Sequence, residues 1–481
     1  MPPSPGSLLS GDKHAVRFRM SQHQLAYKKK AARVAGETKK RRAFGTLTAM
    51  CWVLTLLGVG AAAYVALRNG VNSASFFERA IRSSASESNN GLLRGGCAAP
   101  AAARMRFFAE PVDAKFAGAL VDLGWEPAAD WRQAEVLWFH EKSRVPYGNV
   151  KCWQVVNHLV HESIMGHKGK FYEHLRFQKN ATNKSAAFDY LPATYALWSA
   201  EDRSRFEKDR SSAALEEEEK ASSPAWVLKE PAIDGGKSVE IVTDASMLFD
   251  NGSLLEAHKA KLLQKYVRNL LLIDGHKFDL RVYWCIARHK HPALVLYHPG
   301  TLRVSSTKFS TKFDNGASRS QHLTNAAQQN DDLQDDNFRR RPMSALWDLL
   351  ESSKRPGWPP NPRAHVDCEI RRAVASVWLA FADSQAQDHT RAFALLGLDI
   401  MIDQDLNIFV SEVQSGPGLP TRPSAAAAVL DAMIPALADI VTTLHTNNNN
   451  NNKPLNLATF DLVLNGSTPI DSPSCHHHLL L

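Results

Sequence analysis

The chain has 481 residues, of which 44% are hydrophobic and 22% are charged, so it is long enough for more than one domain and too apolar for wholesale disorder. Its six cysteines show no CxxC spacing, which argues against a small disulfide scaffold and against a zinc ribbon. The formal charge of +8 is typical of a nucleic-acid-binding protein, but residues 1–42 hold 11 of the 57 Lys and Arg and 2 of the 49 Asp and Glu. That tail therefore carries +9 and the remaining chain −1, so we expect no nucleic-acid partner.

A stretch of 25 residues without a formal charge, 43–67, follows the basic tail. As an α-helix it would be about 37 Å long, which is enough to cross the ~30 Å hydrocarbon layer of a membrane. The sequence therefore predicts a transmembrane helix at 43–67, followed by a flexible stalk at 68–104 that is rich in Ser, Ala, Asn and Gly. A cleaved signal peptide and a transit peptide are the alternatives, although the apolar part of a signal peptide is usually only about 7–15 residues long.

The charges on either side of this segment predict its orientation. Eight Lys and Arg residues lie between 28 and 42, whereas Arg68, Arg79 and Arg82 follow the segment. Because the more basic flank of a transmembrane helix stays in the cytosol, the pattern predicts a single-pass membrane protein with a cytosolic N-terminus. The body would then lie on the other side of the membrane.

The pattern of a globular protein begins at about residue 105. The segment RMRFFAEP predicts a strand, FAGALVDLGWEP a helix and turn, and EVLWFH a second strand. Acidic residues 216–219 predict a loop between two parts, and 425–444 predicts a helix kinked by Pro435. The predicted organisation is an N-terminal α/β part at 105–221, a second part at 222–445 and a low-complexity tail at 446–481.

A β-hairpin at 396–416 carries the clearest chemical signal. Two alternating segments, ALLGLDIMID and NIFVSEV, flank the turn DQDLN. A four-residue loop at 404–407 would place Met401 opposite Val410 and Asp399 opposite Glu412, all on one face because side chains alternate with period two.

Two carboxylates placed directly opposite each other repel, and a divalent cation with oxygen ligands would offset that repulsion. Gln414 follows on the same face and offers an amide oxygen. The hairpin therefore predicts a partly enclosed metal site made by Asp399, Glu412 and Gln414. The alternative is a pair of surface carboxylates on an exposed sheet edge.

Two further strands carry basic residues. The segment WVLKEP delivers Lys229 in front of a Gly-Gly turn at 235–236, an arrangement that suits phosphate oxygens but that a surface turn explains equally well. In HKFDLRVYW the polar residues Lys277, Asp279 and Arg281 share one strand face, and GTLRVSS adds Arg303. Such a row indicates either a half-exposed strand or the lining of an anion-binding cleft, where arginine offers a bidentate fork to phosphate.

Taken in order, WVLKEP, QKY, KFDLRVYW, GTLRVSS, HLTN and GLDIMIDQDLNIFVSEV resemble successive motifs of the tubulin–tyrosine ligase-like family. This family is an ATP-grasp group of amino-acid ligases, and the resemblance covers roughly residues 105–440. It implies an α/β (α+β) ATP-grasp fold at 222–445, preceded by a small α/β domain, in addition to the predicted transmembrane helix.

The resemblance also implies a role for each matching residue. The implied ATP-binding residues are Lys229, Gln264, Lys265, Tyr266, Asp279, Thr324 and Asn325, the implied catalytic residues near the γ-phosphate and the acceptor carboxylate are Arg281 and Arg303, and the implied Mg²⁺ ligands are Asp399, Glu412 and Gln414. One position departs from the family pattern Glu-x-Asn, because Gln414 replaces the asparagine. Since Mg²⁺ demands near-octahedral geometry, a longer side chain predicts altered or lower activity.

The activity implied by the resemblance is an ATP- and Mg²⁺-dependent ligase. It would join a free amino acid to a carboxylate of tubulin or another acidic protein through an acyl phosphate. Tubulin is cytosolic, so a body on the lumenal side of the membrane would not meet it. Three alternatives therefore stay open: the charge rule gives the wrong orientation, the acceptor is not tubulin, or the anchor is a targeting segment that is later removed.

Two other functions remain open from the sequence. Gln414 and the near-neutral body favour a catalytically impaired, membrane-anchored ATP-binding module. The tail, anchor and stalk also suit a type II membrane glycosyltransferase, with glycosylation sequons at Asn180, Asn183, Asn251 and Asn465, although no DxD-type metal motif stands out.

Overall fold

The structure, a computed structural model, describes residues 104–110, 114–182, 186–210, 226–232, 238–242, 245–288, 293–310, 319–325, 328–329, 336–353, 355–386, 391–419, 425–447, 455–470 and 475. The basic tail at 1–42, the predicted transmembrane helix at 43–67, the acidic loop at 216–219 and the Gly-Gly turn at 235–236 lie outside the described residues.

Among the described residues, the α-helices are α1 (Ala114–Asp122), α2 (Ser163–Gly166), α3 (Lys168–Thr182), α4 (Ala186–Asp189), α5 (Ala200–Arg210), α6 (Ser246–Asp250), α7 (Gly252–His258), α8 (Arg319–His322), α9 (Asp336–Arg339), α10 (Ser344–Ser352), α11 (Pro362–Ala386) and α12 (Ala425–Asn447). Short 3₁₀ turns lie at Trp131–Gln133, Lys142–Arg144 and Tyr147–Asn149.

The strands are β1 (Arg106–Ala109), β2 (Glu126–Pro127), β3 (Val136–Trp138), β4 (Val155–Asn157), β5 (Thr194–Ala196), β6 (Trp226–Lys229), β7 (Glu240–Val242), β8 (Leu262–Lys265), β9 (Leu272–Ile273), β10 (His276–Arg288), β11 (Leu294–Lys308), β12 (Arg340–Pro342), β13 (Ala392–Ile402), β14 (Ile408–Gln414), β15 (Asp461–Asn465) and β16 (Thr468–Pro469). The strands and helices predicted after residue 105 are therefore confirmed, and the mixed α/β content agrees with the fold class that the sequence predicted.

Within the described residues the strands form two sheets. The larger has twelve strands along the path β16-β15-β11-β10-β13-β4-β3-β1-β2, with β12, β14 and β9 paired beside β11, β13 and β10. The smaller sheet has the order β5-β8-β6-β7 and is antiparallel throughout. The boundary predicted at 221 does not separate these sheets, because β4 pairs with β13 and β5 pairs with β8 across it.

Strand β10 shows how the larger sheet creates a polar region within a buried core. Its even-numbered residues from Phe278 to Ile286 are at most 1% exposed and belong to the largest hydrophobic cluster. Its odd-numbered residues change character along the strand, because Tyr283 and Cys285 lie in a second apolar cluster with α1 and α12. The polar residues Lys277, Asp279 and Arg281 therefore lie in the first half of the odd-numbered face.

Strand β13 likewise has one apolar face and one face that is polar in part. The register of its hairpin with β14 differs in part from the predicted register. Asp399 does pair with Glu412, as predicted, but Met401 faces Phe409 rather than Val410. The turn is one residue longer than predicted, and a β-bulge at Ser411 absorbs the difference.

The longer turn has a local cause in Asp403. Its Oδ1 accepts hydrogen bonds from the backbone N–H groups of Asp405 and Asn407, at 2.9 and 2.8 Å. Such side-chain-to-backbone bonds stabilise a turn without ladder pairing, so Asp403 leaves the strand and becomes part of the loop.

Helix α12 confirms the predicted helix at 425–444 and contains Pro435 within it. Among the described residues it is the one helix with the length and apolarity of a membrane span, at Ala427–Thr446. More than half of that stretch is buried inside the protein, where it packs on α1 and on the larger sheet. We therefore assign it to the core.

The described part of the C-terminal segment contradicts the predicted low-complexity tail at 446–481. Strand β15 extends the larger sheet by pairing with β11. Arg371 of α11 also donates a 2.6 Å hydrogen bond to Asp461, and Cys368 of the same helix forms a disulfide with Cys475. Residues 455–470 thus belong to the folded core.

Gly300 lies in close contact with the backbone of β10, beside the polar residues of that strand. It has a φ of +75°, and a Cβ added there would lie 1.8 Å from the carbonyl oxygen of Arg281. Gly300→Ala should therefore lower the free energy of unfolding by more than about 2 kcal/mol, as measured by urea denaturation. Gly118→Ala is the matched control, because Gly118 lies within α1 with nothing near its Cβ position and should gain about 0.5–1 kcal/mol. Equal effects at the two positions would contradict this role of Gly300.

Candidate active site

A cleft lies where strands β10, β11, β13 and β14 of the larger sheet approach β6 and β8 of the smaller one. It encloses about 780 Å³ of space, part of which is open to solvent. Its polar lining residues are Lys168, Lys229, Ser238, Gln264, Lys265, Tyr266, Lys277, Asp279, Arg303, His322, Thr324, Asn325, Asp399, Ser411 and Glu412.

Asp399 occupies the centre of an ion-pair network in the cleft. Arg281 Nε donates to Asp399 Oδ1 at 2.6 Å, and Arg303 Nη2 donates to Asp399 Oδ2 at 2.7 Å. Burial alone would raise the pKa of this carboxyl, but the two guanidinium charges outweigh it and hold that pKa well below its usual value. Asp399 is thus ionised although it is 1% exposed.

Gly397 makes room for this network. A Cβ at residue 397 would lie 3.1 Å from Cδ of Arg281 and 3.2 Å from Cβ of Gln414. The absence of a side chain there allows the long arginine to reach along the sheet to the carboxylate.

Glu412, opposite Asp399, has a cation of its own. Lys168 Nζ lies 3.0 Å from Glu412 Oε2, and Gln414 Nε2 donates to Glu412 Oε1 at 2.6 Å. Lys168 is the first residue of α3 and comes from a distant part of the chain, and no motif in the sequence marked it as a site residue.

Two glycines that flank Lys168 are the feature of the sequence from which a close approach of this segment to the site could have been predicted. A Cβ at Gly166 would lie 2.6 Å from Oγ of Ser415, and a Cβ at Gly169 would lie 3.1 Å from Cβ of Pro231. The Gly-His-Lys-Gly segment therefore packs closely against the end of the hairpin and against the residues that follow β6.

Lys229, at the end of β6, projects from the smaller sheet into the same cleft. Its Nζ donates to Oε1 of Gln264 at 2.7 Å, and Nε2 of Gln264 donates to Oγ1 of Thr194 at 2.9 Å. Burial lowers the pKa of Lys229 to about 8, with Lys168 and Lys277 acting in the same direction and Glu412 opposing them. Lys229 is half-buried, and the hydrogen-bond partner of its amine, Gln264, is neutral.

The HLTN segment at 322–325 is bound to β10. Lys277 Nζ donates to the carbonyl oxygen of His322 at 2.8 Å, and Thr324 Oγ1 donates to Asp279. The Tyr266 hydroxyl forms a 3.0 Å hydrogen bond with Nδ1 of His322. Burial, followed by the charge of Lys277, lowers the pKa of His322 to about 4, so this imidazole is neutral near pH 7.

Apolar side chains line another part of the cleft: Val227, Val239, Val267, Leu323 and Met401. Tyr266 packs with several of them in a small hydrophobic cluster that includes Leu270. The cleft thus offers an apolar surface for a flat ring beside a cationic surface for anions.

The structure brings together ten of the twelve residues that the sequence assigned to the site. Arg281 and Gln414 do not line the cleft, and instead hydrogen-bond the lining carboxylates of Asp399 and Glu412. The individual roles assigned to these residues stay predictions.

Comparison with known proteins decides the family. Residues 147–451, more than half of the chain, match the model of the Tubulin-tyrosine ligase family. The chain belongs to that family. The resemblance seen in the sequence motifs is thereby confirmed, and the ATP-grasp fold is consistent with it.

Members of the tubulin-tyrosine ligase family from animals are similar to this chain at low identity. The probable tubulin polyglutamylase TTLL2 of Mus musculus is 24% identical over 75% of this chain and 64% of its own length. The tubulin polyglutamylase TTLL5 of Homo sapiens is 26% identical over 60% of this chain and 22% of its own. The tubulin monoglutamylase TTLL4 of Homo sapiens is 24% identical over 59% of this chain and 23% of its own. The chain thus spans less than two thirds of the length of these relatives.

The cleft fits the nucleotide that the tubulin-tyrosine ligase family implies. Five cationic side chains line it (Lys168, Lys229, Lys265, Lys277, Arg303), against three carboxylates (Asp279, Asp399, Glu412). Among the described residues, the buried donor Arg303 Nε has no hydrogen-bond partner, whereas the acceptor Asp279 Oδ1 lies 3.4 Å from Lys277 Nζ. A polyanion would therefore find both surplus positive charge and one unused donor.

The donor set also fits Mg²⁺, which proteins bind through one or two carboxylates together with substrate phosphates and water. Asp399 and Glu412 supply two such carboxylates in direct register. In the part of the chain that the structure describes, no group of three His, Cys, Asp or Glu side chains converges on one point. A metal here would depend on the nucleotide for its remaining ligands.

The network around Asp399 predicts a stability effect. Asp399→Ala leaves the buried guanidinium groups of Arg281 and Arg303 without their counter-charge and should cost about 3–5 kcal/mol in urea denaturation. Asp405→Ala, an exposed position three residues beyond β13, is the control and should change stability by less than about 0.5 kcal/mol. A loss no larger than that of the control would show that the two arginines do not depend on this carboxylate.

Proposed function

We propose that this chain is an ATP- and Mg²⁺-dependent ligase that joins a free amino acid, glutamate in the first instance, to a carboxylate of an acidic protein segment. The observation that carries the proposal is the cleft in which opposed acids on one hairpin lie among surplus cations from two sheets. Membership of the tubulin-tyrosine ligase family and relatives named as glutamylases support the reaction class.

Bound ATP would supply a γ-phosphoryl group that activates the acceptor carboxyl, so that an amino group displaces phosphate and forms the amide. The residues of this chain position the reactants and neutralise charge, which are the main contributions of a protein to phosphoryl transfer. Lys229 and Lys277 present ammonium groups from facing sheets, and Arg303 adds a guanidinium whose Nε is unused. The apolar surface around Tyr266 would hold the adenine ring.

Asp399 and Glu412 would hold Mg²⁺, and Gln414 would act beside them. Both oxygens of Asp399 accept hydrogen bonds from guanidinium groups, and Gln414 directs its amide nitrogen towards Glu412. This chain therefore holds both carboxylates in place with its own cations and amide.

The acceptor class follows from the charge of the site and from the relatives. Tubulin is named as the substrate of TTLL5 and TTLL4. A cationic cleft suits a glutamate-rich peptide, because an acidic chain is attracted to a basic site.

A nucleotide-binding module without turnover is the second candidate. The observation that favours it is that Arg281 and Arg303 occupy both oxygens of Asp399, while Gln414 stands where the family pattern has asparagine. This module would bind ATP with Mg²⁺ and transfer no amino acid.

A direct assay separates the two candidates. Purified chain is incubated with ATP, Mg²⁺, labelled glutamate and a glutamate-rich peptide, and amide-linked label on the peptide is measured. We expect label with the wild type and a loss of about 100-fold or more with Glu412→Gln. Lys259→Met, at an exposed lysine of the loop after α7, is the control and should keep full activity.

The outcomes distinguish ligase from binding module. ATP binding without label on any acidic peptide would contradict the ligase and favour the module. Full activity in Glu412→Gln would remove this carboxylate from the mechanism.

The pKa of Lys229 predicts a pH dependence of nucleotide binding. Because this pKa is lowered to about 8, the ammonium loses its charge as the pH rises through that value. ATP affinity should therefore fall by up to about tenfold between pH 7 and pH 9, as measured by titration calorimetry. Lys229→Met should bind ATP more weakly with little change over the same range, whereas a wild-type affinity that rises with pH would contradict this role.

A further inference from the structure

Disulfide bonds involve three of the four cysteines that lie within the described residues. Cys368 of α11 is bonded to Cys475, with 5.2 Å between their Cα atoms and 107 residues between them in the chain. Cys152 is bonded to a cysteine outside the described residues. Cys285 is the free cysteine of this part of the chain.

The free and the bonded cysteines differ in their surroundings. Cys285 lies within β10, is fully buried, and has a pKa that burial raises to about 12, so its thiol is inert. Cys152 is exposed in the loop before β4, whereas Cys368 and Cys475 are buried and tie the C-terminal segment to α11. Disulfides form and persist in oxidising compartments and are rare in the cytosol, so these bonds are typical of a protein folded under oxidising conditions.

The charges on either side of residues 43–67 also favour a non-cytosolic location of the folded part, and this observation is independent of the disulfides. The basic residues before this segment predict that it crosses the membrane with the body on the non-cytosolic side. That side is oxidising for proteins of the secretory pathway.

Three glycosylation sequons lie on exposed positions of the described residues, at Asn180, Asn251 and Asn465. Asn251 uses Oδ1 to cap α7, accepting the backbone N–H groups of Ser253 and Leu254. The amide nitrogen that would carry a glycan takes no part in that cap, so the fold leaves the acceptor atom accessible.

We propose that the folded unit lies in an oxidising, lumenal compartment and that its acceptor is an acidic segment of a secreted or lumenal protein. The acceptor part rests on the proposed ligase activity, whereas the compartment part does not. Cytosolic tubulin, the substrate printed in the names of the relatives, then lies on the wrong side of the membrane for this chain.

Thiol trapping of the full chain tests the compartment. Cells expressing the chain with a C-terminal tag are lysed in denaturant with a maleimide-polyethylene glycol, with and without prior reduction, and the added mass is read on a gel. We expect Cys152, Cys368 and Cys475 to react only after reduction, and Cys368→Ser to expose one further thiol, that of Cys475, without reductant. Cys285→Ser is the matched control, because it removes a thiol that reacts in both samples.

Two results would overturn the compartment assignment: reaction of Cys368 and Cys475 without reductant, or digestion of the C-terminal tag by protease added to sealed vesicles. Removal of N-linked glycans by endoglycosidase should increase the mobility of the chain, and this shift should be lost in the combined variant Asn180→Gln, Asn183→Gln, Asn251→Gln, Asn465→Gln. A wild-type chain that shows no such shift would also count against lumenal exposure.

A pair of reporters tests the acceptor separately. The same glutamate-rich peptide is expressed on a protein with a signal peptide and on one without, and glutamate addition is measured by mass spectrometry. We expect modification of the lumenal reporter alone. Modification of the cytosolic reporter alone would overturn the compartment and leave the ligase intact, whereas modification of neither, with the thiols oxidised, would contradict the ligase and leave the compartment intact.

Discussion

The ion pairs of Asp399 with Arg281 and Arg303 are the interaction on which the rest of the site depends. A buried carboxylate costs several kcal/mol unless cations and hydrogen bonds compensate it. Here the compensation comes from two strands, because β10 pairs Arg281 directly with Asp399 of β13, and β11, on the other side of β10, supplies Arg303. The order of the strands and the polar residues in the first half of β10 therefore act together. They place charged side chains at one end of a sheet that is otherwise apolar.

The smaller sheet completes the site from the other side. Lys229, the one charged residue of β6, donates a hydrogen bond to a neutral partner, Gln264, so its charge stays available to an anion. The nucleotide would thus join two sheets that share no strand pairing with each other among the described residues. The disulfide-bonded cysteines do not line the cleft, and they concern where the protein works rather than how the cleft is built.

The sequence predicted local features well and non-local features poorly. The polar face of β10 was recognisable because strand side chains alternate with period two. The pairing of Asp399 with Glu412 was correct although the loop was too short by one residue, since the bulge at Ser411 cancelled that error. Lys168, the pairing of β15 with β11, and the mixing of both chain parts in each sheet depend on contacts between distant segments, which no local pattern encodes.

The central claim is that one cleft holds a nucleotide between the two sheets, with a metal on the acids of the hairpin. A crystal structure with a non-hydrolysable ATP analogue and Mn²⁺, located by its anomalous scattering, tests this most directly. The account predicts the manganese in direct contact with Glu412 and Asp399, and the phosphates beside Lys229 and Lys277. Manganese away from both carboxylates, or a nucleotide bound outside the cleft, would contradict it.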